Sequence, residues 1–194
     1  MSTTENNSTN TTNFADTADG ADHWKVSNSV DINAAAEHVY DLISDVTRTG
    51  EWSPTCKWCE WLGEAGKVGS RFKGHNETPE RTWETESEVV AADRPHEFAW
   101  VVGPDAVEGG FVRWGYRVEE IDAGTRLHED WDFHQPGRDA FFKKWGDRGA
   151  SEAEERRNSA IKGIPETLAA IKKAAESGKV GPVRESWRRY RPDT

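Results

Sequence analysis

The sequence predicts an α+β fold: a seven-stranded antiparallel sheet wrapped around a long C-terminal helix, with two short helices after the first strand. Three observations carry this. Short alternations of apolar and polar residues recur from Trp24 to Phe133, separated by turn residues. Sequential strands joined by short turns become antiparallel neighbours. One long amphipathic stretch, 151–177, follows the last strand and can cover the inner face of the sheet.

The first strand is "WKVSNSVDIN" (24–33), with Val26, Val30 and Ile32 as its apolar positions. Val39, Leu42, Ile43 and Val46 then recur at helical spacing in 34–46, and Asn33 is placed to cap that helix. Residues 47–52 read as a turn or second short helix, stopped by Pro54. Six strands follow, at 55–62, 69–77, 81–92, 96–102, 111–121 and 125–134. Their breakers are "GEAGKVG", "TPE", "DRP", "GPDAVEGG" and "DAGT". The segment 137–149 carries one amphipathic turn. In 151–177, Ser151 and Glu154 have the spacing of a capping box, and Ile161, Ile164, Leu168 and Ile171 form one stripe. Pro165 removes a helical hydrogen bond and Gly163 removes a side chain beside it. Two readings follow: the helix arches over a cavity there, or the bend is a packing detail.

Composition divides the chain. Residues 1–23 are Ser, Thr, Asn and Asp with almost nothing apolar, and the expectation is a disordered tail. Residues 24–177 form the folded domain. Residues 178–194 make a basic tail with Trp187 and Tyr190, either a flexible end or a docking segment for an acidic partner. A formal net charge of −10 argues against nucleic acid as a partner. No run reaches the roughly 18 apolar residues of a membrane span. The first residues show neither the basic nor the apolar region of a signal peptide, so the expected location is cytoplasmic, with thiols reduced.

Both cysteines lie in "WSPTCKWCEW" as C-x-x-C. Three steps of a straight strand span about 10 Å, and alternate side chains point to opposite faces. On that geometry Cys56 and Cys59 cannot be bridged or share a metal. The six histidines form no H-x-x-x-H pair to complete a zinc site. The cysteines are expected to be packing residues, with no metal. "GEAGKVG" is neither a dinucleotide fingerprint nor a P-loop, and no cofactor is expected.

Parity sorts the strand side chains. Trp83 and Thr85 share a face, with Glu84, Glu86 and Glu88 on the other. Phe98 aligns with Trp100, Trp114 with Tyr116, and Phe72 with Asn76. Leu127, Glu129, Trp131 and Phe133 align on the last strand. The inner face thus collects large rings where an ordinary core would use Leu, Ile and Val. Such rings line concave ligand sites, or they simply fill the core. The polar residues among them, Asn76, Thr85 and Glu129, need partners if buried. Glu129 is the one acid on an apolar stripe. Burial would raise its pKa and fit it to move protons. The plainer reading is that it faces the mouth or pairs with an arginine.

The segments "SVDINAAAEHVYDLISDVTRTGEWSP" (29–54), "GSRFKGHN" (69–76), "TWETESEVVAADRPHEFAW" (82–100) and "GTRLHEDW" (124–131) carry a family resemblance. The chain resembles the START-like, SRPBCC (birch-pollen-allergen-like) superfamily over about 25 to 177, most closely its polyketide cyclase/dehydrase branch. The resemblance implies a helix-grip fold enclosing a cavity for a hydrophobic small-molecule ligand. It transfers no catalytic residue by signature. Two functions follow from it: a cyclase or dehydratase on a polyketide-like substrate, or a carrier or self-resistance protein that sequesters a hydrophobic metabolite. In the first, Glu129 is the acid/base, Asn76 and Tyr116 orient an oxygen, and the tryptophans hold the rings.

Overall fold

Alternation of buried and half-buried side chains runs without a break along the last strand, where Thr125, Leu127, Glu129 and Trp131 are buried. This period of two is the local cause of the sheet. The computed structural model describes residues 22–104 and 110–177. The expectations for the two tails, including Trp187 and Tyr190, lie outside the described residues.

The strands are β1 (Lys25–Ile32), β2 (Cys56–Trp61), β3 (Arg71–Glu77), β4 (Thr82–Asp93), β5 (Glu97–Val102), β6 (Val112–Ile121) and β7 (Gly124–Asp132). They form one seven-stranded sheet in the order β1-β7-β6-β5-β4-β3-β2, and every pair is antiparallel. Helix α1 (Ala36–Ser44) and a 3-10 segment (Val46–Glu51) follow β1. After β7 come α2 (Gln135–Trp145), a 3-10 turn (Gly146–Arg148) and the 28-residue α3 (Gly149–Glu176). No helix among the described residues is long and apolar enough to cross a membrane.

Helix α3 buries Ala160, Ile164, Leu168, Ile171 and Ala175 in the core shared with the sheet and α1. Ile161 lies at the edge of that stripe and is only half-buried. Pro165 lies inside α3 without ending it. The outer face of the sheet is charged. Lys73 pairs with Glu84 at 3.0 Å and Arg71 with Glu86 at 2.9 Å, which matches the solvated glutamate face.

The structure corrects four local expectations. Asn33 does not cap α1, whose N-cap is Ala35. The Asn33 backbone N–H instead donates to Glu176 Oε1 at 2.9 Å, tying the start of α1 to the end of α3. Helix α3 begins at Gly149, so Ser151 lies inside it and donates to the Arg148 carbonyl; the capping box does not form. The segment 137–149 is no single turn, because α2 runs for 11 residues with Pro136 in its first turn. Its anchor is aromatic packing, not an apolar stripe: Phe141 lies 5.2 Å from Phe133 and 5.8 Å from Phe111. Finally, β2 is not straight. Cys56 pairs with Asn76 and Cys59 with Gly74, so three steps on β2 match two on β3. This β-bulge turns both cysteines to one face.

Candidate ligand cavity

The inner face of the sheet and α3 do not close completely on each other. A cavity of about 320 Å³ lies between them. Its sheet wall is built by alternation: Phe72, Gly74 and Asn76 from β3, Trp83, Thr85 and Ser87 from β4, and Trp100 from β5. Trp114 and Tyr116 come from β6, Glu129 and Trp131 from β7. Register places these rings side by side, since Trp100 pairs with Trp114 and Trp114 with Trp131. Small residues of α3, Ala160 and Gly163, face them across the space, with Ile164 and Thr167. Large rings on one wall and small residues on the other leave a gap that α3 cannot fill.

Two of the expected residues are not in the cavity wall. Phe98 is fully buried and packs edge-on against Tyr40 of α1, with centroids 6.5 Å apart. Helix α1 covers that end of the sheet, so a residue of the right parity meets protein there and not space. Phe133 lies one residue beyond β7 and is enclosed by Trp24, Trp131 and Phe141. Its cover is α2, whose extent sequence periodicity did not reveal.

Glu129 is the buried acid of the wall. It is 4 % exposed, lines the cavity, and faces its cross-strand partner Tyr116. The Tyr116 hydroxyl donates to Glu129 Oε1 at 3.5 Å, a long bond. Oε2 is buried with no hydrogen-bond partner among the described residues. No arginine pairs with this carboxyl in the described structure, so the plainer reading of an exposed or paired acid does not hold. Burial pushes its pKa well above the usual carboxylate range; the Tyr116 hydrogen bond opposes this, and Asp130 adds to it. Burial, followed by the Glu129 charge, likewise raises the Tyr116 phenol. Asn76 is held nearby, its side-chain amide donating to Thr85 Oγ1 at 3.3 Å and to the Gly74 carbonyl at 3.4 Å.

The exposed part of the wall carries charge. Arg81 and Glu155 line it, with side chains 37 % and 60 % exposed, and they pair at 3.3 Å. The Arg81 guanidinium covers the Trp83 ring at 4.7 Å, and Arg156 covers Phe141 at 4.9 Å. Sequence reading missed this mouth, because Arg81 and the Glu152–Arg156 turn of α3 meet only in the folded chain. It also missed the cysteines. Both line the cavity, with Sγ atoms 3.4 Å apart, which corrects their assignment to opposite faces as packing residues. No cluster of three or more His, Cys, Asp or Glu side chains suited to a metal occurs among the described residues.

Known proteins share this architecture. A solution structure of the Polyketide_cyc-like protein Cgl2372 from Corynebacterium glutamicum is 41% identical, covering 88% of this chain and 98% of that one, with a TM-score of 0.55. The di-domain ARO/CYC StfQ from the steffimycin biosynthetic pathway is 14% identical with a TM-score of 0.59; the match covers 79% of this chain and 51% of StfQ. The di-domain ARO/CYC BexL from the BE-7585A pathway gives 18% identity over the same shares, with a TM-score of 0.58. At such identities the last two show the fold alone. Among curated proteins none matches the sequence. Residues 23–176, nearly the whole described chain, match the family described as polyketide cyclase / dehydrase and lipid transport, and the protein belongs to that family.

Proposed function

We propose that the cavity binds a flat, hydrophobic, aromatic or polyketide-like small molecule, and that Glu129 moves protons in its cyclisation or dehydration. The observation that carries this is the buried Glu129 carboxyl, which lines an aromatic cavity with one oxygen unpartnered among the described residues. A buried polar atom without a partner costs roughly 1–3 kcal/mol, and a ligand oxygen would relieve that. The raised pKa keeps the carboxyl protonated where an ordinary glutamate is charged. With Oε1 accepting from Tyr116, the acidic proton sits on Oε2 and is offered to the ligand.

In a dehydration, Glu129 gives this proton to a departing hydroxyl, which leaves as water. The resulting carboxylate takes the proton from the neighbouring carbon as the double bond forms, and the acid is restored. Tyr116 stabilises that transient carboxylate through Oε1. The rings of Trp83, Trp100, Trp114 and Trp131, with Phe72, hold the flat skeleton. With its amide N–H groups donating to Thr85 and Gly74, Asn76 keeps Oδ1 to accept a hydrogen bond from a hydroxyl of the ligand. A volume of about 320 Å³ lies within the common range for small-molecule sites. Family membership supports the reaction class.

The test is Glu129→Gln, which keeps shape and removes the proton. Hydroxylated polycyclic aromatics are titrated by tryptophan quenching, and water loss from a β-hydroxy ketone precursor is followed on both proteins. Unchanged binding with turnover lost at least a hundredfold is expected. Equal turnover by the Gln variant overturns the role of Glu129. Binding without turnover in the wild type leaves a carrier or sequestration protein. Absence of quenching across the panel removes the cavity assignment itself.

A further inference from the structure

The proposed reaction does not use the two thiols in the cavity wall. On a straight strand they would point apart. The bulge at Lys57 changes that, because Cys56 and Cys59 oppose Asn76 and Gly74, which lie two steps apart on one face of β3. Two steps bring the cysteine Cα atoms to roughly 6.5 Å, within the reach of a disulfide. The side chains converge further, to 3.4 Å between Sγ atoms.

Gly74 lets the sulfurs converge beside Thr85: a Cβ there would stand 3.1 Å from Thr85 Oγ1, 3.5 Å from Cys59 Sγ and 3.7 Å from Cys56 Sγ. Both cysteines line the cavity, so a small molecule held in it can reach the sulfurs. The pair is also asymmetric. Cys56 is half-buried, whereas Cys59 is 8 % exposed. A hydrogen bond from Cys59, aided by the Lys57 charge, holds the Cys56 thiol below its ordinary pKa. The same bond, together with burial, pushes Cys59 far above. One sulfur is set to attack and the other to stay a thiol until needed.

We propose that Cys56 and Cys59 form a redox-active dithiol that reduces an organic hydroperoxide held in the cavity and closes to an intramolecular disulfide. The Cys56 thiolate attacks the terminal peroxide oxygen and the O–O bond breaks. The ligand leaves as an alcohol, taking the proton lost by Cys56, and Cys56 becomes a sulfenic acid. Cys59 then attacks that sulfur. The S–S bond forms, and the sulfenic hydroxyl leaves with the Cys59 proton as water. Two thiols are oxidised and one hydroperoxide is reduced. The aromatic lining favours an organic hydroperoxide over a charged oxidant such as a peptide disulfide. A low-molecular-weight thiol would return the pair to the reduced state.

The experiment uses the full chain, reduced and freed of reductant, with one equivalent of cumene hydroperoxide. Free thiols should fall from two to none while the protein stays monomeric on a non-reducing gel, and intact mass should drop by two hydrogens. Hydrogen peroxide at the same concentration should react at least tenfold more slowly. Cys59→Ser should stop at a sulfenic acid on Cys56 that dimedone traps. Cys56→Ser should lose the fast reaction at least tenfold. Two thiols persisting in the folded wild type, a dimer-linking disulfide, or equal rates with the two peroxides would each overturn the proposal. So would wild-type rates in Cys56→Ser. The wild-type measurements need no variant, so a serine variant that fails to fold leaves the decision intact.

Discussion

Tyr116 and Glu129 are direct cross-strand partners on β6 and β7, and the Tyr116 hydroxyl reaches Glu129 Oε1 at 3.5 Å. Both side chains are buried, and the phenol is the partner found for the carboxyl among the described residues. A pair this dry makes the proton on Glu129 part of the stability of the fold.

Glu129 has a folded pKa raised above the usual value of 4.5, so the folded chain holds this proton where the unfolded chain has released it. Its contribution is complete below that usual value and is lost as pH rises through the folded pKa. Urea unfolding of wild type and Glu129→Gln, from about pH 5 to about pH 8, should show the variant gaining relative stability as pH rises. A difference independent of pH would mean that Glu129 titrates normally.

Tyr116→Phe removes the hydrogen bond to Oε1 and leaves both carboxyl oxygens without a donor among the described residues. The expected loss is about 1 kcal/mol of stability, at the low end because the bond is long. That bond lowers the Glu129 pKa, so its removal should move the pH dependence described above to higher pH. A shift to lower pH would contradict the arrangement.

Trp114 and Phe133 lie on the same inner face, and only Trp114 meets the cavity. Trp114→Ala should weaken binding of a polycyclic aromatic about tenfold, roughly 1.4 kcal/mol. Phe133→Ala should cost about 3–5 kcal/mol of stability, since Phe133 is fully enclosed. Calorimetric titration and denaturant unfolding of both variants separate the two effects. A Phe133 variant that folds normally and fails to bind would place that ring in the site.

Gly50 makes room for the bulge. A Cβ at this position would stand 2.0 Å from the Lys57 carbonyl oxygen, a collision with backbone that no rotamer change relieves. Gly50→Ala should lose about 1–3 kcal/mol of stability and displace Lys57. Since Lys57 is the extra residue between the cysteines, the variant should also form the internal disulfide more slowly. Thermal unfolding and thiol counting check both outcomes.

Much of this molecule follows from sequence alone. The strand order in the chain, the long final helix and the inward parity of Trp100, Trp114 and Glu129 are local properties. Alternation of residue type decides which face of a strand a side chain takes, and no knowledge of neighbours is needed. What opposes that face is a different matter. Phe98 and Trp114 have the same parity, yet α1 covers one and the cavity meets the other. Periodicity carries no information about that cover. Helix α2 was hidden because aromatic packing of Phe141 with Phe133 and Phe111 holds it, and not a regular apolar stripe. The mouth joins Arg81 to Glu155, which are 74 positions apart, so only the folded chain brings these charges together. The bulge was equally illegible, because one extra residue in β2 has meaning only against the register of β3. That single residue turned Cys56 and Cys59 from opposite faces into a pair.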